Sequence, residues 1–247
     1  MRTPALLLML ALAGCSGGGG GSMFGRPGGD RYGPPVRPYA QPTHVIAAEI
    51  ALGRAAREEG QWTALADRAA PGAQIAWNGG THDAAGWLAA RAGPATPDRW
   101  EAREAWASCD GSAVVIAGVG HDAAGNWSRF TRVWERDRDD FRWSVTVWQP
   151  DAELTRSRQA EAQQRAADAE DDAILVEALN MVRARVATPC PQQRGRGDET
   201  PAHAGLSRDG TLRWTPVPDA AAGFTAWWQT ATGWEQVHAQ AVPDGGA

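Results

Sequence analysis

At Trp100 the hydrophobic period of this chain changes from three and four residues to two. Trp100, Ala102, Glu104 and Trp106 alternate with Glu101, Arg103 and Ala105, the pattern of a strand with two unlike faces. Asp110-Gly111 joins this run to residues 112–119, and Asp-Gly between strand-like runs is a strong hairpin signal. Residues 113–119 are apolar throughout, which predicts a central strand covered on both faces. A loop at 120–126 leads to a strand over 127–136. A polar turn at 137–140 then leads to a strand over 141–148, in which Phe141, Trp143, Val145 and Val147 share one face. The segment is an antiparallel meander, and so large an apolar surface demands cover from the rest of the chain.

Helical patterns precede it. Thr43 is placed to cap a helix in which Val45, Ala48, Leu52 and Ala55 form a stripe, ending at Gly60. A short helix is expected over 61–69 and a short strand over 73–77. Thr81 is expected to cap a third helix that carries Asp83 in its first turn, presents Trp87 and Leu88, and stops at Gly93-Pro94. Helices ahead of an antiparallel sheet predict an α+β domain over 42–150. Residues 151–173 are polar and Ala-rich with Leu154 as their large aliphatic, and predict an exposed connecting helix. Residues 174–181 read equally as helix or strand, and 181–186 as strand. The candidate strands 211–217, 224–229 and 234–241 make 174–247 a small antiparallel β-module. Three short strands are marginal alone, so they require the strand near Val182, the main domain or a disulfide for support. Trp227 and Trp228 must point to opposite faces of their strand.

The order helix, short helix, strand, helix, meander resembles the nuclear transport factor 2-like superfamily, which includes ketosteroid isomerases and SnoaL-like cyclases. Glu58-Glu59-Gly60-Gln61-Trp62-Thr63-Ala64-Leu65 and Ala70-Pro71-Gly72-Ala73 stand where such proteins place their second helix and its exit turn. Trp106-Ala107-Ser108-Cys109-Asp110-Gly111-Ser112 and Phe141-Arg142-Trp143 stand where they place the sheet hairpin and last strand. The resemblance covers residues 43–149 and implies a curved sheet wrapped around helices, a cone with a pocket at its wide end. That fold hosts enzymes and binding modules alike.

The N-terminus carries a second resemblance. Arg2 is followed by an apolar run over 5–13 and then by Leu12-Ala13-Gly14-Cys15, which resembles the lipobox of bacterial lipoproteins. The run is well short of the roughly 20 residues a spanning helix needs. The resemblance implies cleavage after residue 14, acylation of Cys15 and anchoring to the lipid bilayer on the periplasmic face of the envelope. Ser16 stands where an Asp marks inner-membrane retention in such lipoproteins, which favours the outer membrane. Residues 15–41, rich in Gly and Pro, then form a flexible tether. Cys109 and Cys190 are the remaining cysteines, and in an oxidising compartment they are expected to pair.

The chemistry is constrained by what is missing. The chain contains no Lys, so Schiff-base chemistry is unavailable. Its Tyr residues, Tyr32 and Tyr39, both lie in the tether, so the domain has no Tyr for the oxyanion hole of a ketosteroid isomerase. Net charge is −5, too small to suggest nucleic acid as a partner. No Cys/His cluster has metal-binding spacing, and no cofactor is implied. The candidate catalytic groups are His121 with Asp122 and His82 with Asp83, though adjacent residues on one element point in different directions. Tryptophans are abundant. Most are expected in the core, with Trp77, Trp134 and Trp148 as candidates to line a pocket. The leading expectation is a non-catalytic envelope lipoprotein whose cone binds a small molecule or an envelope protein. The alternatives are a cyclase- or isomerase-type enzyme using His121 and Asp122, and an assembly protein with a filled core.

Overall fold

The structure is a computed structural model and describes residues 40–77, 80–94, 96–168, 181–188, 190, 205–215, 217, 218 and 223–242. Residues 1–39, with the expected signal peptide, Cys15 and all but the last two residues of the expected tether, lie outside the described residues, as do residues 174–180. Helix α1 (Pro42–Glu59) opens with Gln41, not Thr43, at its N-cap. Proline at the first helical position explains the shift, since its fixed φ suits the helix and it has no N–H to leave unsatisfied. Helix α2 (Gln61–Arg68) follows and leads into strand β1 (Ala69–Trp77). Thr81 belongs to strand β2 (Thr81–Asp83), paired with Ala76, and does not cap the third helix. Asp83 caps α3 (Ala84–Ala89) instead, its carboxylate accepting from Gly86 N at 3.1 Å.

The meander is present as β3 (Arg99–Ala107), β4 (Ala113–His121), β5 (Trp127–Asp137) and β6 (Asp140–Pro150). The whole sheet is larger, with seven strands in the order β2-β1-β6-β5-β4-β3-β7. Strand β7 (Arg183–Val186) pairs parallel with β3, and β1 pairs parallel with β6, so the expected antiparallel sheet is mixed. Parallel partners need long connections, and the helices and the intervening meander supply them. Bulges interrupt the ladders between Ala102 and Glu104 of β3 and between Trp143 and Val145 of β6, bending those two strands.

Both faces of this sheet are covered. Val114 and Ile116 of β4 join Val45, Leu52, Leu65 and Trp143 in a core beneath α1 and α2. Ala113 and Val115, one residue out of phase, join a second core on the opposite face. This is why β4 lacks a polar face. The second core is closed by a four-stranded antiparallel sheet, β8 (Gly205–Leu206), β9 (Leu212–Trp214), β10 (Phe224–Thr230) and β11 (Gly233–Gln240). Leu212, Trp214, Phe224 and Ala226 are its buried contribution. The strand near Val182, expected to support this module, extends the main sheet as β7; the module is supported by packing on the main sheet. Trp228 packs against the inter-sheet core, whereas Trp227 lies outward with the Arg213 guanidinium 4.8 Å from its ring centroid. Helix α4 (Ala152–Asp168) is polar and largely exposed and lies beside β5.

Two turns of like sequence join the sheets. Ser108-Cys109-Asp110-Gly111-Ser112 connects β3 to β4, and Ser207-Arg208-Asp209-Gly210-Thr211 connects β8 to β9. In each, the serine hydroxyl donates to the aspartate (2.9 and 2.7 Å), and the glycine has positive φ (66° and 73°). The turns face one another reciprocally. Cys109 N donates to Thr211 Oγ1 at 2.8 Å, and Arg208 N donates to Ser112 Oγ at 2.9 Å. Asp110 N also donates to the Asp209 carboxylate at 2.7 Å. The Cys109–Cys190 disulfide is present, with Cα atoms 5.5 Å apart. Because β7 belongs to the main sheet, the bond ties the segment just after β7 to this turn, and hydrogen bonds carry the link onward to the module.

At the other end of the inter-sheet contact, His238 stacks on Trp106 at 4.9 Å. Its Nε2 lies 2.6 Å from Thr131 Oγ1, which donates to Gln240 Oε1 at 2.6 Å. A hydroxyl has one proton to give, so Nε2 carries the imidazole hydrogen. Burial pulls the His238 pKa down to about 4. Arg103, Arg129 and Arg183 line the cavity of about 470 Å³ beside it, with Glu104 as the nearby carboxylate. The folded state therefore favours neutral imidazole. Its contribution is full above the ordinary value near 6.5 and is lost as pH falls through about 4. We expect acidification across this range to cost the wild type about 3 kcal/mol through this group. His238→Gln should flatten that part of the dependence, as read from urea midpoints at pH 7 and 4.5. Equal slopes in both proteins would show that His238 is not the responsible group.

Candidate functional site

Beneath α1 the centre of the main sheet is closed by a polar knot. Glu49, 2% exposed, pairs with Arg132, 1% exposed. Trp100 Nε1 donates to Glu49 Oε1 at 2.8 Å, and Trp134 Nε1 donates to Oε2 at 2.7 Å. Arg132 Nε donates to Thr146 Oγ1 at 3.0 Å. A buried charge is tolerated when it is paired and hydrogen-bonded, and both Glu49 and Arg132 are. Trp134, expected to line a pocket, is fully buried and serves as a donor in this knot. Sequence reading missed both charges. Glu49 lies on the apolar stripe between Val45 and Leu52, and Arg132 stands between Phe130 and Trp134 on the inward face of β5. Those positions were the available signal.

Next to the knot, aromatic rings form a cross-strand row. Gly118 of β4 pairs with Phe130 of β5, Phe130 with Trp148 of β6, and Trp148 with Trp77 of β1. The rings stack, Phe130 on Trp148 at 5.5 Å and Trp148 on Trp77 at 4.8 Å with 12° between planes. Glycine makes the row possible. A Cβ at Gly118 would lie 2.6 Å from the Phe130 ring, and one at Gly120 would lie 2.6 Å from the Trp148 ring. Trp62 meets Trp77 edge-on at 5.2 Å and Trp87 at 5.4 Å, extending the aromatic surface to α2 and α3. Arg91 caps its far end, 3.7 Å over Trp87.

This surface is one wall of a cavity of about 750 Å³. Trp62, Trp77, Trp127 and Trp148 line it, together with Asp98, Asp122 and Asp151. Trp127 is held against α4, its backbone N–H donating to Thr155 Oγ1 at 2.8 Å and its ring lying 5.2 Å from Arg158. Asp98 is positioned by Gln61, which donates Nε2 to Oδ2 at 2.9 Å and accepts from Asp98 N at 2.8 Å. Burial, with the neighbouring charge of Asp122, raises the Asp98 pKa; the bond from Gln61 and the charge of His121 oppose the rise. Asp122 behaves in the opposite way. Against burial, which pushes it up, hydrogen bonds from Asn126, Ala124 and Gly125 hold its carboxyl below the ordinary range. Asp151 caps α4 by accepting from Leu154 N at 2.8 Å; that bond and Arg129, 2.7 Å away, lower its pKa. Sequence reading missed Asp98, which lies in a loop with no motif to mark it.

The candidate His–Asp pairs are placed as follows. The His82 ring stacks with Trp87 at 5.7 Å, and Asp83 spends a carboxylate oxygen on capping α3. His121 ends β4, its ring 4.9 Å from Trp127 and its Nδ1 3.0 Å from the carbonyl of Asp122. The Asp122 carboxylate turns away to its own loop, accepting from Ala124 N, Asn126 N and Asn126 Nδ2 at 2.8–2.9 Å. Trp77 and Trp148 line the cavity; Trp134 does not. Among the described residues no group of three or more His, Cys, Asp or Glu side chains is placed to hold a metal ion. Among the same residues no helix is long and apolar enough to cross a membrane. The chain matches no family model. A comparison with curated proteins finds no match.

Proposed function

We propose that this chain is a lipoprotein anchored through Cys15 to the bacterial envelope, whose α+β domain is a nuclear transport factor 2-like cone that binds a small molecule without transforming it. The observation that carries this reading is the division of the domain's interior. The Glu49–Arg132 knot fills its centre, while the Trp-lined cavity stays open beside it. A concavity walled partly by aromatic rings, with polar side chains converging on it, is a usual form of small-molecule site. The strand order β2-β1-β6-β5-β4-β3, with helices on one face, supports the cone. A second reading, a SnoaL-like enzyme, is favoured by Asp98, a carboxyl with raised pKa on a cavity wall within electrostatic reach of His121.

Two measurements test the proposal. Cys15→Ala should move the protein from the membrane to the soluble fraction, and unchanged membrane association would overturn the anchor. Tryptophan emission should respond saturably to at least one class in a screen of organic cations, sugars and apolar compounds. Trp127→Ala should weaken that response about tenfold, the scale of one lost aromatic contact. No response in any class would overturn the binding function.

A further inference from the structure

We propose that the outward face of the four-stranded module is a binding site for an acidic sugar, whose carboxylate is held by Arg213. Strand alternation fixes which side chains share this face. Leu212, Trp214 and Ala226 turn inward to the inter-sheet core, which leaves Arg213, Trp227 and Gln229 outward. On β11, Gln236 stands opposite Trp227 and Trp234 opposite Gln229, so both join them. The Arg213 guanidinium lies 4.8 Å from the Trp227 ring centroid and 4.4 Å from that of Trp234. All three residues are half-buried, and neither indole meets another aromatic ring among the described residues.

The first argument is a cation without a counter-charge. Among the described residues the Arg213 side chain makes no ion pair and no hydrogen bond, and its Nε is buried without a partner. The module's carboxylates are placed elsewhere. Asp209 accepts within its own turn, and Glu235 stands opposite Trp228 on the inward side. Contact with the rings orients the guanidinium, yet leaves its N–H groups without acceptors. Burial lowers the Arg213 pKa, an effect that a bound anion reverses. The second argument selects the anion. One planar fork, with no second cation at the outward positions named, matches a singly charged carboxylate through two parallel N–H···O bonds. The third argument selects the carrier. Strands β9 and β10 are interior to their sheet, so an extended peptide finds no free ladder on this face. The face offers instead the amides of Gln229 and Gln236 and the indole N–H groups of Trp227 and Trp234. None of these is hydrogen-bonded among the described residues. Donors and acceptors converging beside ring surface suit the hydroxyls of a sugar.

The test is calorimetric titration of the intact protein with pentagalacturonate and with its full methyl ester, the same sugar without charge. Inorganic phosphate and pentaglutamate, a peptide of matching length, are the other arms. We expect saturable binding of the acid and about tenfold weaker binding of the ester, the scale of a lost bidentate charged pair. Phosphate and the peptide should bind more weakly than the acid. Arg213→Gln should bring the acid down to the level of the ester, and Arg213→Lys, which keeps the charge without the fork, should fall between. Equal binding of acid and ester overturns the proposal, as does unchanged binding in the Arg213 variants. Tighter binding of phosphate or the peptide overturns it too, and so does an absence of binding in every arm. The comparison of acid with ester uses the wild type, and the Lys variant keeps the residue's role testable where the Gln variant does not fold. Neither result bears on the Trp-lined cavity, which shares no residue with this face.

Discussion

Replacing Glu49 with alanine is expected to cost the domain about 3–5 kcal/mol of stability, since removing one partner of a buried ion pair leaves the other charge uncompensated. Arg132 is 1% exposed and cannot turn to water. The indole N–H groups of Trp100 and Trp134 lose their acceptor in the same step. Total stabilities of single domains run to about 5–15 kcal/mol, so the loss is about a fifth of the total or more. Urea unfolding followed by tryptophan emission measures it. The double variant Glu49→Leu with Arg132→Met should recover much of the loss, because it removes both charges and fills the space with apolar atoms. A single variant within about 1 kcal/mol of wild type would show that the pair is not buried in solution.

The second large effect is expected from the disulfide. Cys109→Ser with Cys190→Ser should cost about 2–4 kcal/mol, the usual range for closing a long loop, here with a sequence separation of 81. The loss should concentrate near β7, an edge strand whose residues are mostly exposed and whose ladder to β3 is short. Hydrogen exchange should show Arg183–Val186 opening first in the variant, with β4 and β5 still protected. If the double serine variant unfolds at the wild-type midpoint and β7 exchanges no faster, the bond contributes nothing to the fold. The paired turns keep the module attached in either case, because their hydrogen bonds involve backbone, hydroxyl and carboxylate groups and not the Cys109 sulfur.

Much of the architecture was legible in the chain. The change to a period of two at Trp100 and the Asp110-Gly111 signal determine the meander, because alternation and turn chemistry are local properties. The unbroken apolar run of β4 determines that both sheet faces are covered, and the polar composition after Asp151 an exposed helix. The likeness of the two Ser-x-Asp-Gly turns was also available, and it marks their pairing.

The tertiary structure decided the rest. That β7 joins the main sheet and not the module depends on which edge was free, and short strands carry no record of their partner. Glu49 and Arg132 lie 83 residues apart, so neither could announce the other. Trp77, Trp134 and Trp148 look alike as residues on strands, yet two line the cavity and one is sealed into the knot. Sequence determines which face a side chain takes along its own strand. Whether that face meets a helix, a buried carboxylate or open space depends on long-range packing, and that is where the candidate site is made.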